Sequence, residues 1–214
     1  MRYDFLTIDT ALKRILKFNP KNFVEIGSRD GHDTRAIQQM FNIEPQHCYI
    51  FEAHPELFEK IQSQYPEFNV YNCAIGNETL PLTFNAAELK SEDNPGMSSV
   101  LETVDGNFKS YKVEVDGWRM DEISTNLALY NIDLVKIDVE GFNLQVLQGF
   151  GTLLENTKCI QIELEHKEVW KNQSTYEGVK EFLESKDFVE MVHVRIAHDQ
   201  SDSFWAQRNL IDKK

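Results

Sequence analysis

The chain has 214 residues, 41% hydrophobic and 27% charged, with a formal net charge of −13, the profile of an ordinary soluble globular protein long enough for a full core. That charge makes nucleic acid and anionic membrane poor partners. No apolar run approaches the roughly 20 residues of a membrane helix, and "MRYDFLTIDT" has no signal-peptide core. Cys48, Cys73 and Cys159 are odd in number and far apart, which argues against a disulfide framework or zinc site and makes a reducing cytoplasm the expected compartment.

Ile8, Leu12, Ile15 and Leu16 have helical spacing and predict an amphipathic helix within residues 1–20. "FVEIG" reads as a strand, followed by a turn and a helix marked by Ile37, Met40 and Phe41. "CYIFEA" is a second strand. His54-Pro55 opens a second helix, with Leu57, Phe58, Ile61 and Tyr65 inward. "FNVYNCAI" is read as one third strand. Strands alternating with helices of this length indicate a parallel sheet.

The rhythm breaks over residues 77–117, where "TLPLTF" and "YKVEVDGW" alternate with period two around a long polar stretch. This predicts an inserted, strand-flanked loop or lid. "IDLVKIDVEG" restores the core pattern as a buried strand, with a short helix around Leu144 and Leu147. "KCIQIELEH", a helix bearing Tyr176, Val179, Phe182 and Leu183, then "FVEMVHVRIAH" and "SFWAQRNL" follow. The expected fold is α/β, a doubly wound, mostly parallel sheet of about seven strands with an antiparallel hairpin at one edge.

Ligands of such sheets sit beyond the carboxyl ends of the strands. Those ends carry Glu25 to Gly31, Glu52 to His54, Asn72 to Ile75, Asp138 to Gly141, and Glu163 to His166. The turn "GSRDG" lacks the G-x-G-x-x-G spacing that cradles a pyrophosphate, and Glu25 would repel a phosphate. Glu52 stands where nucleotide-binding folds place an acid for the ribose hydroxyls, or is a solvated strand-end carboxylate supporting little packing. A glycine turn, flanking acids and no phosphate site suit S-adenosyl-L-methionine, a cationic adenosyl ligand.

"FVEIGSRDGHDT", "IFEAHPELFEKI", "CAIGNETLPLTF", "GMSSVLE", "IDLVKIDVEGFNLQVLQGF" and "IQIELEH" resemble, in that order, the motifs of FkbM-type methyltransferases from about residue 22 to 206. The resemblance implies a class I, Rossmann-like methyltransferase fold, with residues 1–214 as one domain. It implies S-adenosyl-L-methionine as cofactor and O-methylation of a sugar or other small-molecule or glycan hydroxyl. Matched by motif, Glu25, Gly27, Ser28, Arg29 and Gly31 form the cofactor turn, Glu52 and Ala53 the ribose position, and Ala74 and Ile75 the adenine side. Asp138, Glu140 and Gly141 match the fourth-strand motif.

Arg29 replaces the family's common asparagine, and either reaches the cofactor carboxylate or pairs with Asp30 or Asp33, the second being favoured. "VDGWRMDEI" lacks the usual Thr-Leu-Asp, leaving a helix entry there open. Asp138 is expected nearest the transferred methyl group, with Glu140 either supporting its loop or bonding the strand-end backbone. His166 is the favoured general base for the acceptor hydroxyl. The alternative is a divalent metal held by Asp138, Glu165 and His166. Ser98 and Ser99 are lid candidates, Lys136 a structural cation reaching an acid or carbonyl, and Trp170 a stacking candidate. Rival functions are a nicotinamide-dependent sugar oxidoreductase, handicapped by the missing pyrophosphate loop, and a catalytically silent nucleoside-binding module.

Overall fold

Strand β1 (Phe23–Ile26) is buried along its whole length and lies at the centre of a seven-stranded sheet. In a computed structural model, which describes residues 8–89, 97–105 and 109–211, its parallel neighbours are β2 (Cys48–Phe51) and β8 (Ile132–Ile137). Beyond β2 lies β3 (Asn69–Tyr71), and beyond β8 lies β9 (Thr157–Glu165), both parallel. The chain closes with β10 (Phe188–Ala197) and β11 (Gln200–Gln207), an antiparallel hairpin whose second strand inserts beside β9 and leaves β10 at the edge. The order is β10-β11-β9-β8-β1-β2-β3. Continuous apolar runs such as that of β8 follow from burial on both faces.

Alternate side chains of each strand feed two cores. Val24, Ile26, Val135, Ile137, Ile160 and Ile162 pack with Val146 and Leu147 of α5 (Asn143–Gly149) and Val179 and Leu183 of α6 (Tyr176–Ser185). Phe23, Leu134, Cys159 and Phe204 pack with Leu12 of α1 (Thr10–Leu16, π-helical), Ile37 of α2 (His32–Phe41) and Ile61 of α3 (Pro55–Gln64). Pro55 sits at the start of α3, where its missing N–H costs nothing. The first seven residues of the expected N-terminal helix lie outside the described residues. No described helix is long and apolar enough to cross a membrane.

Two expectations change. "FNVYNCAI" is not one strand: β3 ends at Tyr71, and β4 (Ala74–Gly76) leaves the main sheet to pair in parallel with β7 (Gly117–Arg119). Gly117 permits this, because a Cβ there would meet Leu80 O at 2.3 Å. The open helix entry is settled by α4 (Met120–Asn126), which starts directly after β7 with Asp121 and Glu122 in its first turn.

Within the inserted region, β5 (Leu82–Ala87) and β6 (Ser110–Val115) form an antiparallel hairpin. Residues 97–105 run along it as a strap, bridging Asn85 at Ser99 and Trp170 at Thr103. Pro95 and Gly96 lie outside the described residues.

Candidate active site

The carboxyl ends of β1, β2 and β8 and the strap enclose a cavity of about 390 Å³. Its tightest junction is Gly27, with φ 80°. An added Cβ would lie 1.9 Å from Asp138 O, so the turn after β1 fits against the end of β8 only as glycine. The same junction is bonded on both sides, Gly27 N to Phe51 O at 2.9 Å and Asp138 N to Ile26 O at 2.9 Å.

Glu52 ties two turns together. One carboxylate oxygen accepts from the N–H groups of Ser28 (3.1 Å) and Arg29 (2.8 Å), the other from His54 N–H (2.8 Å). Burial pushes its pKa up, and these N–H groups pull against that shift. The side chain is 5% exposed, so it carries far more structure than a solvated strand-end acid. Arg29 stands in the left-handed region at φ 62°, where a short polar side chain such as the family's asparagine is less strained. Among the described residues no ion pair joins Arg29 to Asp30 or Asp33; its charge instead favours ionised Glu140.

Glu25 is not on the cavity wall. It lies beneath the turn, fully buried, accepting from Ser28 Oγ at 2.9 Å and from Thr34 Oγ1. Burial raises its pKa to about 8, against the pull of Lys136, its cross-strand partner on β8. Gly31 also stays off the wall and packs on Tyr65, where a Cβ would come within 2.7 Å of the ring. Glu25 and Gly31 therefore shape the turn from below. Lys136 is the cation expected from the sequence, and it also lines the cavity. Its Nζ lies 2.8 Å from Asp33 Oδ2 and 3.3 Å from Asp138 Oδ2. Burial disfavours its charge, but Asp138, Asp33 and Glu25 outweigh that and hold it protonated.

Gly27, Ser28, Arg29, Glu52, Ala53, Ala74 and Ile75 do line the cavity, as do Asp138 and Glu140. Phe51, Leu57 and Phe84 add an apolar side beside Ala74 and Ile75. From the strap come Met97, Ser98 and Val100. Ser98 Oγ accepts from Ala87 N–H at 3.0 Å, and Ser99 Oγ donates to Glu140 O at 2.7 Å. Asn85 Nδ2 donates to the carbonyls of Ser99, Val100 and Leu101 at 3.0–3.4 Å. The strap is thus fastened to β5 and to the turn after β8. That turn needs positive φ at both Glu140 (51°) and Gly141 (86°).

The catalytic set expected from β9 is not assembled. Period two puts Glu163 and Glu165 on one face and His166 on the other. His166 Nε2 bonds Ser201 Oγ at 3.0 Å, and its ring packs against Tyr176 and His193. Burial lowers its pKa. Glu165 accepts from Gln173 Nε2 at 3.0 Å, and neither residue reaches the cavity wall. What the fold brings together instead is Asp138, Glu140 and Glu163, with one carboxylate oxygen of each within 4.8 Å of the others. Burial, then mutual repulsion, raises Glu140 to about 8 and Glu163 to about 10. Glu165 rises to about 7, again mainly by burial. Three crowded carboxylates of this kind share protons or hold a cation. Glu163 and its partner Gln200 (2.5 Å) were missed as site residues. The alternation of β9 was the available signal. Trp170 is a buried wall rather than an open stacking surface: it packs on Gly141, and its indole favours ionised Glu140.

No curated protein matches the chain. Solved structures do. The FkbM methyltransferase from Methylobacillus flagellatus KT superposes with a TM-score of 0.58 at 14% identity, over 87% of this chain and 44% of that one. Aeropyrum pernix fibrillarin, solved with natively bound S-adenosyl-L-methionine, gives 0.52 at 8% identity, over 94% of this chain and 72% of that one. M. capricolum TrmK, solved with S-adenosyl-homocysteine, gives 0.50 at 11%, over 92% and 67%. At such identities the likeness is one of fold, and the fold is that of class I S-adenosylmethionine-dependent methyltransferases. The chain spans under half the length of the Methylobacillus protein. The family model for the methyltransferase FkbM domain matches residues 25–190, and the chain belongs to that family.

Proposed function

We propose that the protein is an S-adenosyl-L-methionine-dependent methyltransferase acting on a hydroxyl of a sugar or other small-molecule or glycan acceptor. The observation that carries this reading is the cavity itself. It joins an apolar side to a glycine turn and a carboxylate cluster, and lacks a pyrophosphate loop. The residues present fit the cofactor. Ala74, Ile75, Phe51, Leu57 and Phe84 would hold adenine, Glu52 one ribose hydroxyl through its remaining lone pair, and the 27–29 turn with Asp138 the amino-acid tail. Three of the four lone pairs on the Glu52 carboxylate are taken by N–H groups, which fixes the acid in place before a ligand arrives. Asp30, Asp33, Glu52, Asp138, Glu140 and Glu163 outnumber Arg29 and Lys136 on the wall, which favours a cationic ligand as the acids ionise.

When bound, the cofactor supplies an electrophilic methyl group on a sulfonium. The protein's own task is to align the acceptor oxygen and take its proton. Asp138, beside Lys136, would orient the hydroxyl. Glu140, at about 8, lies in the range where a carboxylate can accept such a proton near neutrality. The strap, with Met97, Ser98 and Val100 on the wall, excludes water and touches the acceptor.

The test is incubation with methyl-labelled cofactor and a metabolite extract of the source cells, followed by mass spectrometry of labelled products. A methyl ether is expected. Label found only on amines would replace the hydroxyl reading with N-methylation, and no labelled product with any extract would remove the enzyme reading.

A further inference from the structure

On the far side of the strap lies a second cavity of about 200 Å³. Met97 lines both cavities, so the two meet at this side chain. Trp170 lines the second cavity and packs on Gly141, with its indole near enough to the Glu140 carboxylate to favour the ionised acid. The walls are braced by Val104 N to Val169 O at 2.9 Å and Lys171 N to Glu102 O at 2.8 Å. The second cavity therefore abuts the carboxylate cluster while facing a different set of charges.

Those charges have the opposite balance. Lys112 Nζ lies 2.8 Å from Glu102 Oε1, and Lys171 Nζ lies 3.1 Å from Glu102 Oε2. Two cations share one carboxylate in a chain whose net charge is −13. All three side chains are more than half exposed, so the pairings are weak and exchange readily with a ligand anion. Ser110 and Thr103 also line the cavity. Their hydroxyls suit the polar edge of a sugar.

We propose that this cavity is the distal subsite for the acceptor and takes an anionic substituent, a carboxylate or phosphate, on a sugar whose hydroxyl is methylated beside Asp138 and Glu140. The proposal rests on the methyltransferase reading above. It adds the acceptor's charge, which neither fold nor family supplies. Glu102 then acts as a placeholder: it holds the two lysines ready and yields them when the substrate anion enters. Lys112 and Lys171 are specificity residues.

Titration of glucuronate, glucose 6-phosphate and glucose into the protein, with and without saturating S-adenosylhomocysteine, tests this through the Trp170 indole N–H resonance. Both anionic sugars are expected to shift it saturably and glucose only weakly. A glucose 6-phosphate response without one from glucuronate would narrow the substituent to phosphate, and the reverse to carboxylate. Lys112→Gln and Lys171→Gln should each weaken that binding by about tenfold, as loss of a charge-assisted contact does. Glu102→Gln should tighten it, because the competing carboxylate is gone. Equal response to glucose, no saturable response to either anion, or a Glu102→Gln variant that binds more weakly would overturn the subsite. Calorimetry of S-adenosylhomocysteine on the same samples reads the cofactor site separately, so failure of that reading is distinguishable from failure of this one.

Discussion

Replacing Glu52 with alanine removes one side chain and three hydrogen bonds, from Ser28, Arg29 and His54 N–H at 3.1, 2.8 and 2.8 Å. Each bond to a charged acceptor contributes about 1.5–3 kcal/mol. Two effects reduce the sum. The turns border the cavity, so water reaches some of the freed donors. The buried carboxylate also carries a desolvation cost, visible in its raised pKa, and the variant no longer bears it. A net loss of about 2–4 kcal/mol in unfolding free energy is expected, at the upper end for a polar substitution. Urea denaturation of the ligand-free protein measures it. Calorimetry with S-adenosylhomocysteine should show weaker binding in the same variant, since the turn is loosened and an acceptor is lost. An unchanged urea midpoint would refute the account of Glu52 as the clamp between the two turns.

Gly27→Ala should be more damaging still, by about 3 kcal/mol or more, because its Cβ would overlap Asp138 O and its φ is 80°; thermal melting or loss of soluble protein reports it. Glu140 and Glu163 have folded pKa values of about 8 and about 10, above the ordinary 4.5, so the folded state binds more protons than the unfolded. The contribution of these two acids should therefore be largest at low pH and fall as pH rises from about 4.5 through about 10, with a shallower slope up to about 8 for Glu140→Gln; urea midpoints that climb over that range would contradict this. Ionisation of Glu140 should make S-adenosylmethionine, a sulfonium, bind more tightly as pH rises from about 6 to about 9, while its neutral thioether product gains less; calorimetry with both ligands across that range checks it. His166→Ala should leave kcat within about twofold, as its ring lies off the cavity and removes no group from the reaction, whereas Asp138→Asn should lower kcat strongly; equal losses would restore His166 to the mechanism.

The sheet was legible because "FVEI" and "IDLVKI" are apolar enough to demand burial on both faces, and because Pro55 and the Leu57–Ile61 spacing announce α3. The acids at the strand ends were legible for a related reason: fold topology says which ends meet. Depth was not legible. Nothing in "FVEIG" and "IFEA" separates Glu25, buried under the turn, from Glu52, on the wall. His166 was chosen for its chemistry, yet it falls one residue past Glu165, on the opposite face from Glu163. The break at Asn72 and Cys73 was hidden because a single polar residue, Asn72, marks it between apolar neighbours, while β4 finds its partner in β7 more than 40 residues later. Pairings so distant leave little local trace.

Calorimetric titration of the purified protein with S-adenosylhomocysteine, and separately with NAD, tests the central claim that this cavity is built for an adenosyl ligand without a pyrophosphate. One-to-one binding of S-adenosylhomocysteine, lost or sharply weakened when Ala74→Trp fills the apolar side, and no heat from NAD are predicted. Saturable NAD binding with none for S-adenosylhomocysteine would contradict the account.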